Sequence, residues 1–199
     1  MEYTQYYKLT DDLITHLDSV FVALHDPFIE SRYTGFLAVC GVTVLELTMK
    51  HIFCQFAEDQ HVALGKFCSK HFSRINGKIT LGHIRNEYLP MFGEEYLAQF
   101  VHDLEALEDQ CLRSTPPISI KASYGNLITW RNKFAHQGTL AENASYGEIK
   151  RSYESGKELM ACLFHSMASV GGVMREQQRR QQGARARGPR QPRSRMRHQ

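Results

Sequence analysis

The segment Arg131-Asn132-Lys133-Phe134-Ala135-His136-Gln137-Gly138 brings a guanidinium, a carboxamide and an imidazole onto one short stretch of chain. At about 100° per helical residue, Gly125, Thr129, Asn132 and His136 fall within about 40° of one line, a narrow stripe of small and polar side chains. Tyr124, Leu127, Ile128, Trp130, Phe134 and Ala135 fill a broad arc on the other side. Arg131 projects from the middle of that apolar arc, about 140° from His136. A face built on Gly125 and Thr129 lets another helix come close. If two copies pack there about a two-fold axis, two histidines and two asparagines converge in one cleft, which could hold a phosphodiester.

An arginine in an apolar arc needs a partner, because a buried unpaired cation costs several kcal/mol. The best candidate by sequence is Glu46, a lone carboxylate inside the most apolar stretch of the chain. The expectation is therefore an Arg131–Glu46 pair, with Glu46 supporting the site.

The elements that must position these groups all read as helix, since i, i+3, i+4 apolar spacing recurs and strict alternation is absent. The spacing predicts a first helix over Thr4 to His25, with Leu9, Leu13, Leu17, Val20, Phe21 and Leu24 on its stripe, ended by Asp26-Pro27. A second, from about Ser31 to Glu58, is apolar nearly all round between Phe36 and Met49 and should be the most enclosed. Shorter helices follow from about His61 to Phe72 and from Leu81 to Tyr88, with an Asn76-Gly77 turn between them. Longer ones are expected over Glu94 to Leu112 and Ser119 to His136, the latter closed by Gly138, and a last helix runs from Ser145 towards Arg175.

The chain has 199 residues, 42% of them hydrophobic and 23% charged, which fits one helical domain over 1–174 and excludes a disordered or collagen-like chain. Residues 1–174 carry 15 Lys+Arg against 20 Asp+Glu, whereas 175–199 carry nine Arg and one Glu. Poor in apolar residues, 175–199 is expected to be a disordered basic tail, where any attraction for polyanions would reside. The longest uncharged runs, Tyr33 to Leu45 and Leu159 to Met174, fall short of the roughly 20 apolar residues of a membrane span. The N-terminal residues do not read as a signal or transit peptide, so the expectation is a cytoplasmic protein.

Five cysteines without a C-x-x-C pair suit a reducing compartment. His51, Cys54, Cys68 and His71 have ligand-like spacing for zinc, but the flanking Ile52, Phe53, Phe56, Leu64 and Phe67 favour buried thiols and ordinary histidines. The other histidines are scattered and form no carboxylate cluster of a two-metal nuclease. Walker-type loops and G-x-G-x-x-G are absent, and no cofactor or metal is expected.

The string Arg131-Asn132-x-x-x-His136, with Gly138 closing its helix in a small all-helical domain, resembles the R-x4-6-H signature of HEPN domains, which are widespread in prokaryotic toxin-antitoxin, phage-defence and CRISPR effector systems. The resemblance extends in helical layout over roughly Tyr3 to Met174. It implies an all-α HEPN-like bundle and, for active members, a metal-independent endoribonuclease working as a homodimer. His136 would then be the general base or acid, Arg131 would stabilise charge on the phosphorus oxygens, and Asn132 would orient the histidine or bind phosphate. Products with 2′,3′-cyclic phosphate ends are implied, because the nucleophile is the RNA's own 2′-hydroxyl. A neutralising antitoxin or regulatory partner is implied too. The alternative is a non-catalytic HEPN module serving dimerisation or nucleotide binding beside a separate effector.

Overall fold

The computed structural model describes residues 3–23 and 26–186, with side chains placed as far as Gly172. Among these residues there is no strand. A 3-10 turn at Tyr3–Tyr6 leads into α1 (Tyr7–Phe21), followed by α2 (Pro27–Gln60), α3 (Val62–Phe72), α4 (Leu81–His83), α5 (Glu94–Leu112), α6 (Ile120–Gln137) and α7 (Tyr146–Ala186). The expected all-α bundle is the observed architecture. α2 packs on α1, α3, α6 and α7, and α7 packs in addition on α5 and α6. Leu37, Val42, Leu45, Met49 and Phe53 of α2, Phe100 of α5, Leu127 of α6 and Tyr153, Leu159, Met160 and Leu163 of α7 belong to one core cluster closed to solvent. α5 occupies Glu94–Leu112 as the spacing predicts.

Several boundaries differ from the sequence expectation for identifiable reasons. Asp26-Pro27 does not merely end the first helix; it starts the second. The Asp26 carboxylate accepts from the amides of Phe28 (2.9 Å) and Ile29 (3.3 Å), and Pro27 sits in the first turn, where no donor is needed. Leu24 and His25 lie outside the described residues. The face of α1 turned to the core is Tyr7, Thr10, Ile14 and Leu17, while Leu9 is 70% exposed. A run at constant i+4 spacing through Leu9, Leu13 and Leu17 drifts about 40° per step, so it cannot stay on one face; alternating steps of three and four can.

The helix expected over Leu81 to Tyr88 is α-helical only to His83. It widens into a π turn at Ile84–Tyr88 and tightens into a 3-10 turn at Leu89–Met91. This change of pitch buries Ile84, Tyr88 and Leu89 together. α7 continues through 175–186, into the segment read as tail, and 187–199 lies outside the described residues.

α2 is not enclosed on every side, because Phe36 and Leu47 are 50% and 42% exposed. Among the described residues it is the helix long and apolar enough to cross a membrane by length and composition, yet 56% of its most apolar window is buried inside the bundle.

Two contacts set the position of the outer helices on α2 and α7. The Phe134 ring of α6 lies directly on Gly35 of α2, where a β-carbon would overlap the ring. Between α1 and α7, the Asp18 carboxylate accepts from the Tyr146 hydroxyl (2.8 Å) and the Lys150 ammonium (2.6 Å). These two donors hold the Asp18 carboxyl below its ordinary range.

Gly35→Ala is expected to destabilise the bundle by about 1–3 kcal/mol through overpacking, despite alanine's higher helix propensity. The loss should shrink when combined with Phe134→Leu, a coupling that a double-mutant cycle of denaturant melts measures. Asp18→Asn should lower the melting temperature modestly at neutral pH. Because the folded carboxyl titrates below the unfolded one, that difference should fade as pH drops through about 4 and vanish once the wild-type carboxylate is protonated.

Candidate functional site

α6 carries the candidate groups, and both of its ends are tied to other elements. At its start the Ser119 hydroxyl accepts from the Ala122 amide (3.1 Å) and donates to Glu108 of α5 (2.5 Å). The other Glu108 oxygen accepts from the Lys121 amide (3.0 Å), so a carboxylate only 8% exposed faces the positive end of the helix dipole. At the far end Gly138 takes the left-handed conformation (φ 68°), and its amide donates to the Phe134 carbonyl at 2.8 Å. The Gly138 carbonyl accepts from the Arg32 guanidinium of α2. Midway, the buried Tyr124 hydroxyl donates to the Ile79 carbonyl (2.5 Å), and burial pushes its pKa far above the ordinary range.

Arg131 is half-buried and reaches over the turn at Asn76-Gly77. Its guanidinium nitrogens stand 3.5 and 3.7 Å from where a β-carbon on Gly77 would be, and Gly77 has φ 73°, so the turn suits glycine on two counts. The expected ion pair with Glu46 is not formed. One Glu46 oxygen meets Lys50 at 2.7 Å, one helical turn along α2, and the other accepts from the Gly77 amide at 2.9 Å. Both oxygens are therefore engaged by nearer donors. Among the described residues no carboxylate comes within 4.0 Å of the Arg131 guanidinium. Glu46 instead holds the turn over which Arg131 lies, through the Gly77 amide. Partial exposure explains why the arginine tolerates this, since it is not closed off from water.

Asn132 and His136 are exposed and make no side-chain hydrogen bond among the described residues. Gly125 and Thr129 are exposed on the same stripe; nothing lies within 4 Å of a β-carbon built on Gly125. Within one copy the helix thus brings Asn132 and His136 together on an open face and sends Arg131 elsewhere, towards the 76–79 turn. The second Arg-Asn pair, Arg85-Asn86, sits on the π turn with Asn86 exposed, as expected of surface residues.

The zinc-like spacing resolves into separate environments. The thiols of Cys54 and Cys68 are hydrogen-bonded between α2 and α3. The bond from Cys68 holds Cys54 below the usual thiol range, while the same bond, with burial, pushes Cys68 up. The His51 ring instead packs edge-on to Tyr6 (5.7 Å between centroids), and His71 packs edge-on to Phe72 (5.3 Å). Among the described residues no group of three or more ligating side chains gathers.

Sequence reasoning missed Arg32, Lys50 and Gly77. For Gly77 the Asn-Gly dipeptide gave the turn but not what rests on it; for Lys50 the i, i+4 spacing from Glu46 was the available signal. Glu46→Ala should raise hydrogen exchange across 75–79 with the bundle intact. Glu46→Gln, which keeps an acceptor for the Gly77 amide, should largely preserve protection there, and amide exchange read by mass spectrometry separates the two.

The model of the RiboL-PSP-HEPN family matches residues 4–168, which takes in all of α6 and the bundle from its first turn to the middle of α7. No curated protein and no solved structure gives a significant match. HEPN membership supports a nuclease or other RNA-related role at that level of detail. The resemblance drawn from Arg131, Asn132, His136 and the helical layout thus agrees with an independent match over most of the chain, which belongs to the RiboL-PSP-HEPN family.

Proposed function

We propose that the chain is a metal-independent endoribonuclease acting as a homodimer in a phage-defence or toxin-antitoxin setting. The observation that carries this reading is a guanidinium without a carboxylate partner among the described residues, on the helix that exposes Asn132 and His136. Charge is thus available for a phosphodiester, and an unengaged imidazole is available for proton transfer.

The chemistry follows from those groups. His136 takes the proton of a ribose 2′-hydroxyl, whose oxygen attacks the adjacent phosphorus. The phosphorus–5′-oxygen bond breaks, leaving a 2′,3′-cyclic phosphate and a 5′-hydroxyl once the leaving oxygen is protonated. Arg131 stabilises the negative charge that builds on the phosphorus oxygens. Asn132 orients the imidazole or binds the phosphate. One copy supplies one such histidine, whereas the reaction benefits from a base and an acid on opposite sides of the phosphorus. Two copies supply both, and they also offset the divergence of Arg131 and His136 within one helix. The arginine-rich 175–199 would add salt-dependent attraction for RNA or dock an acidic antitoxin.

That same divergence favours a second reading, a non-catalytic HEPN module for dimerisation or nucleotide binding beside a separate effector. The two separate with labelled RNA in excess EDTA. Persistent cleavage is expected from the wild type, with cyclic phosphate ends and no cutting of DNA, which lacks the 2′-hydroxyl. His136→Ala should lose about 10²–10⁴-fold and Arg131→Ala about 10²–10³-fold in rate, with unchanged circular dichroism. Cleavage at the wild-type rate by the alanine variant of His136 would sink the nuclease assignment, and binding without cleavage would favour the module.

A further inference from the structure

α2 and α3 form a tight antiparallel hairpin about His61, whose ring accepts from the Ala63 amide at 3.1 Å. Cys54 and Cys68 stand seven residues before and after that hinge, two turns along each helix. Two contacts bracket them. Towards the hinge, a β-carbon on Gly65 would stand 2.9 Å from the Glu58 α-carbon, so the two α-carbons lie no more than about 4.5 Å apart. Away from it, the Phe53 and Phe72 rings stack with 5.3 Å between centroids. Between these two contacts the thiols meet, and Cys68 donates to the Cys54 sulfur.

We propose that Cys54 and Cys68 are an oxidisable dithiol, which a hydroperoxide joins in a reversible disulfide that pins α3 to α2. A disulfide spans α-carbons about 4.4–6.8 Å apart, and the neighbouring rung of the same hairpin already lies at the short end of that range. Both residues are partly exposed. Cys68 also lines a cavity of about 480 Å³ between α3 and residues 91–96, where its side chain has room to turn and an oxidant as small as hydrogen peroxide can enter. Cys40, Cys111 and Cys162 are partly exposed as well, but none of them is bonded to a second thiol, and burial pushes each of their thiols up.

The chemistry balances within the pair. The bond from Cys68 favours the Cys54 thiolate against the effect of burial. That sulfur attacks one peroxide oxygen, the O–O bond breaks and hydroxide leaves, giving a sulfenic acid on Cys54. The Cys68 sulfur then displaces the hydroxyl oxygen, which departs as water while the S–S bond forms and the Cys68 proton is given up. Two thiols and one peroxide become one disulfide and two waters: the sulfurs lose two electrons and the peroxide oxygens gain them. A thiol reductant reverses the change. The bridge matters because α3 is lightly held. Of its eleven residues only Gly65 and Phe72 are buried, while Leu64 and Phe67 are 52% and 74% exposed. A covalent tie that closes 54–68 suppresses the opening of such a helix. The pair stands on α2 and α3 alone and does not depend on the nuclease reading.

Peptide mass mapping of the full chain, after a brief hydrogen peroxide pulse and alkylation of the remaining thiols, tests the pair. The wild type should show a bridge between Cys54 and Cys68 of one chain, with Cys40, Cys111 and Cys162 alkylated and the bridge removed by dithiothreitol. Amide exchange across 62–72 should slow at least about tenfold in the bridged chain and recover on reduction. Cys68→Ser should stop at a sulfenic acid on Cys54 that dimedone traps, and Cys54→Ser should give at least about tenfold less trapping at Cys68. Cys54 and Cys68 left as free thiols overturn the proposal, as does a bridge from either to another cysteine or between chains. A bridge that leaves exchange of α3 unchanged overturns the pinning, and equal trapping in the two variants overturns Cys54 as the sulfur oxidised first. Because the wild type itself carries the mapping and exchange readouts, a serine variant that fails to fold leaves the test standing.

Discussion

The contact of Phe134 with Gly35 decides where everything else on α6 goes. An aromatic ring seated on a bare stretch of helix backbone fixes the rotation of α6 about its own axis, because turning the helix would lift the ring off Gly35. Once that angle is set, helical geometry leaves no freedom. Arg131 must point at the 76–79 turn, and Asn132 and His136 must point outward. The turn is in turn held to α2 by Glu46 through the Gly77 amide. One ring and one carboxylate therefore transmit the position of the central helix to the groups that could meet a phosphate.

Arg131 and Glu46 illustrate how short-range competition sets ion pairing. A guanidinium and a carboxylate on neighbouring helices attract each other, but Lys50 lies one turn from Glu46 on the same helix and meets it at 2.7 Å. The backbone amide of Gly77 takes the second oxygen without any side-chain entropy to lose. The outcome neutralises Glu46 locally and leaves the arginine's charge uncancelled by any carboxylate among the described residues, which is the electrostatic condition an anion site needs.

The architecture was legible in the sequence wherever apolar spacing or a strong breaker acted. α5 lies where its periodicity puts it, Asn76-Gly77 is a turn, and Gly138 closes α6. Arg131, Asn132 and His136 stood out in the sequence because their types are unusual on a helix that must also bury Tyr124, Leu127 and Trp130, but within one copy only Asn132 and His136 share an open face. What could not be read was mutual position. Asp26-Pro27 reads equally as the stop of one helix and the capped start of the next, and nothing in the spacing says that a π turn would widen the chain at Ile84–Tyr88. The apolar centre of α2 suggested enclosure on all sides, since hydropathy reports composition and not which neighbours arrive; one line of that helix, through Phe36 and Leu47, stays open.

The Glu108 carboxylate at the opposite end of α6 has a consequence of its own. It holds the Ser119 hydroxyl and the Lys121 amide while Arg32 holds the Gly138 carbonyl, so the rod between them is anchored to α5 at one tip and to α2 at the other. A residue inserted into the preceding Thr115–Pro117 linker is absorbed before the first anchor. A residue inserted between the anchors instead turns everything beyond it by about 100° and pits Phe134 against its seat on Gly35. Length variation in this chain should thus be tolerated ahead of the rod and forbidden along it.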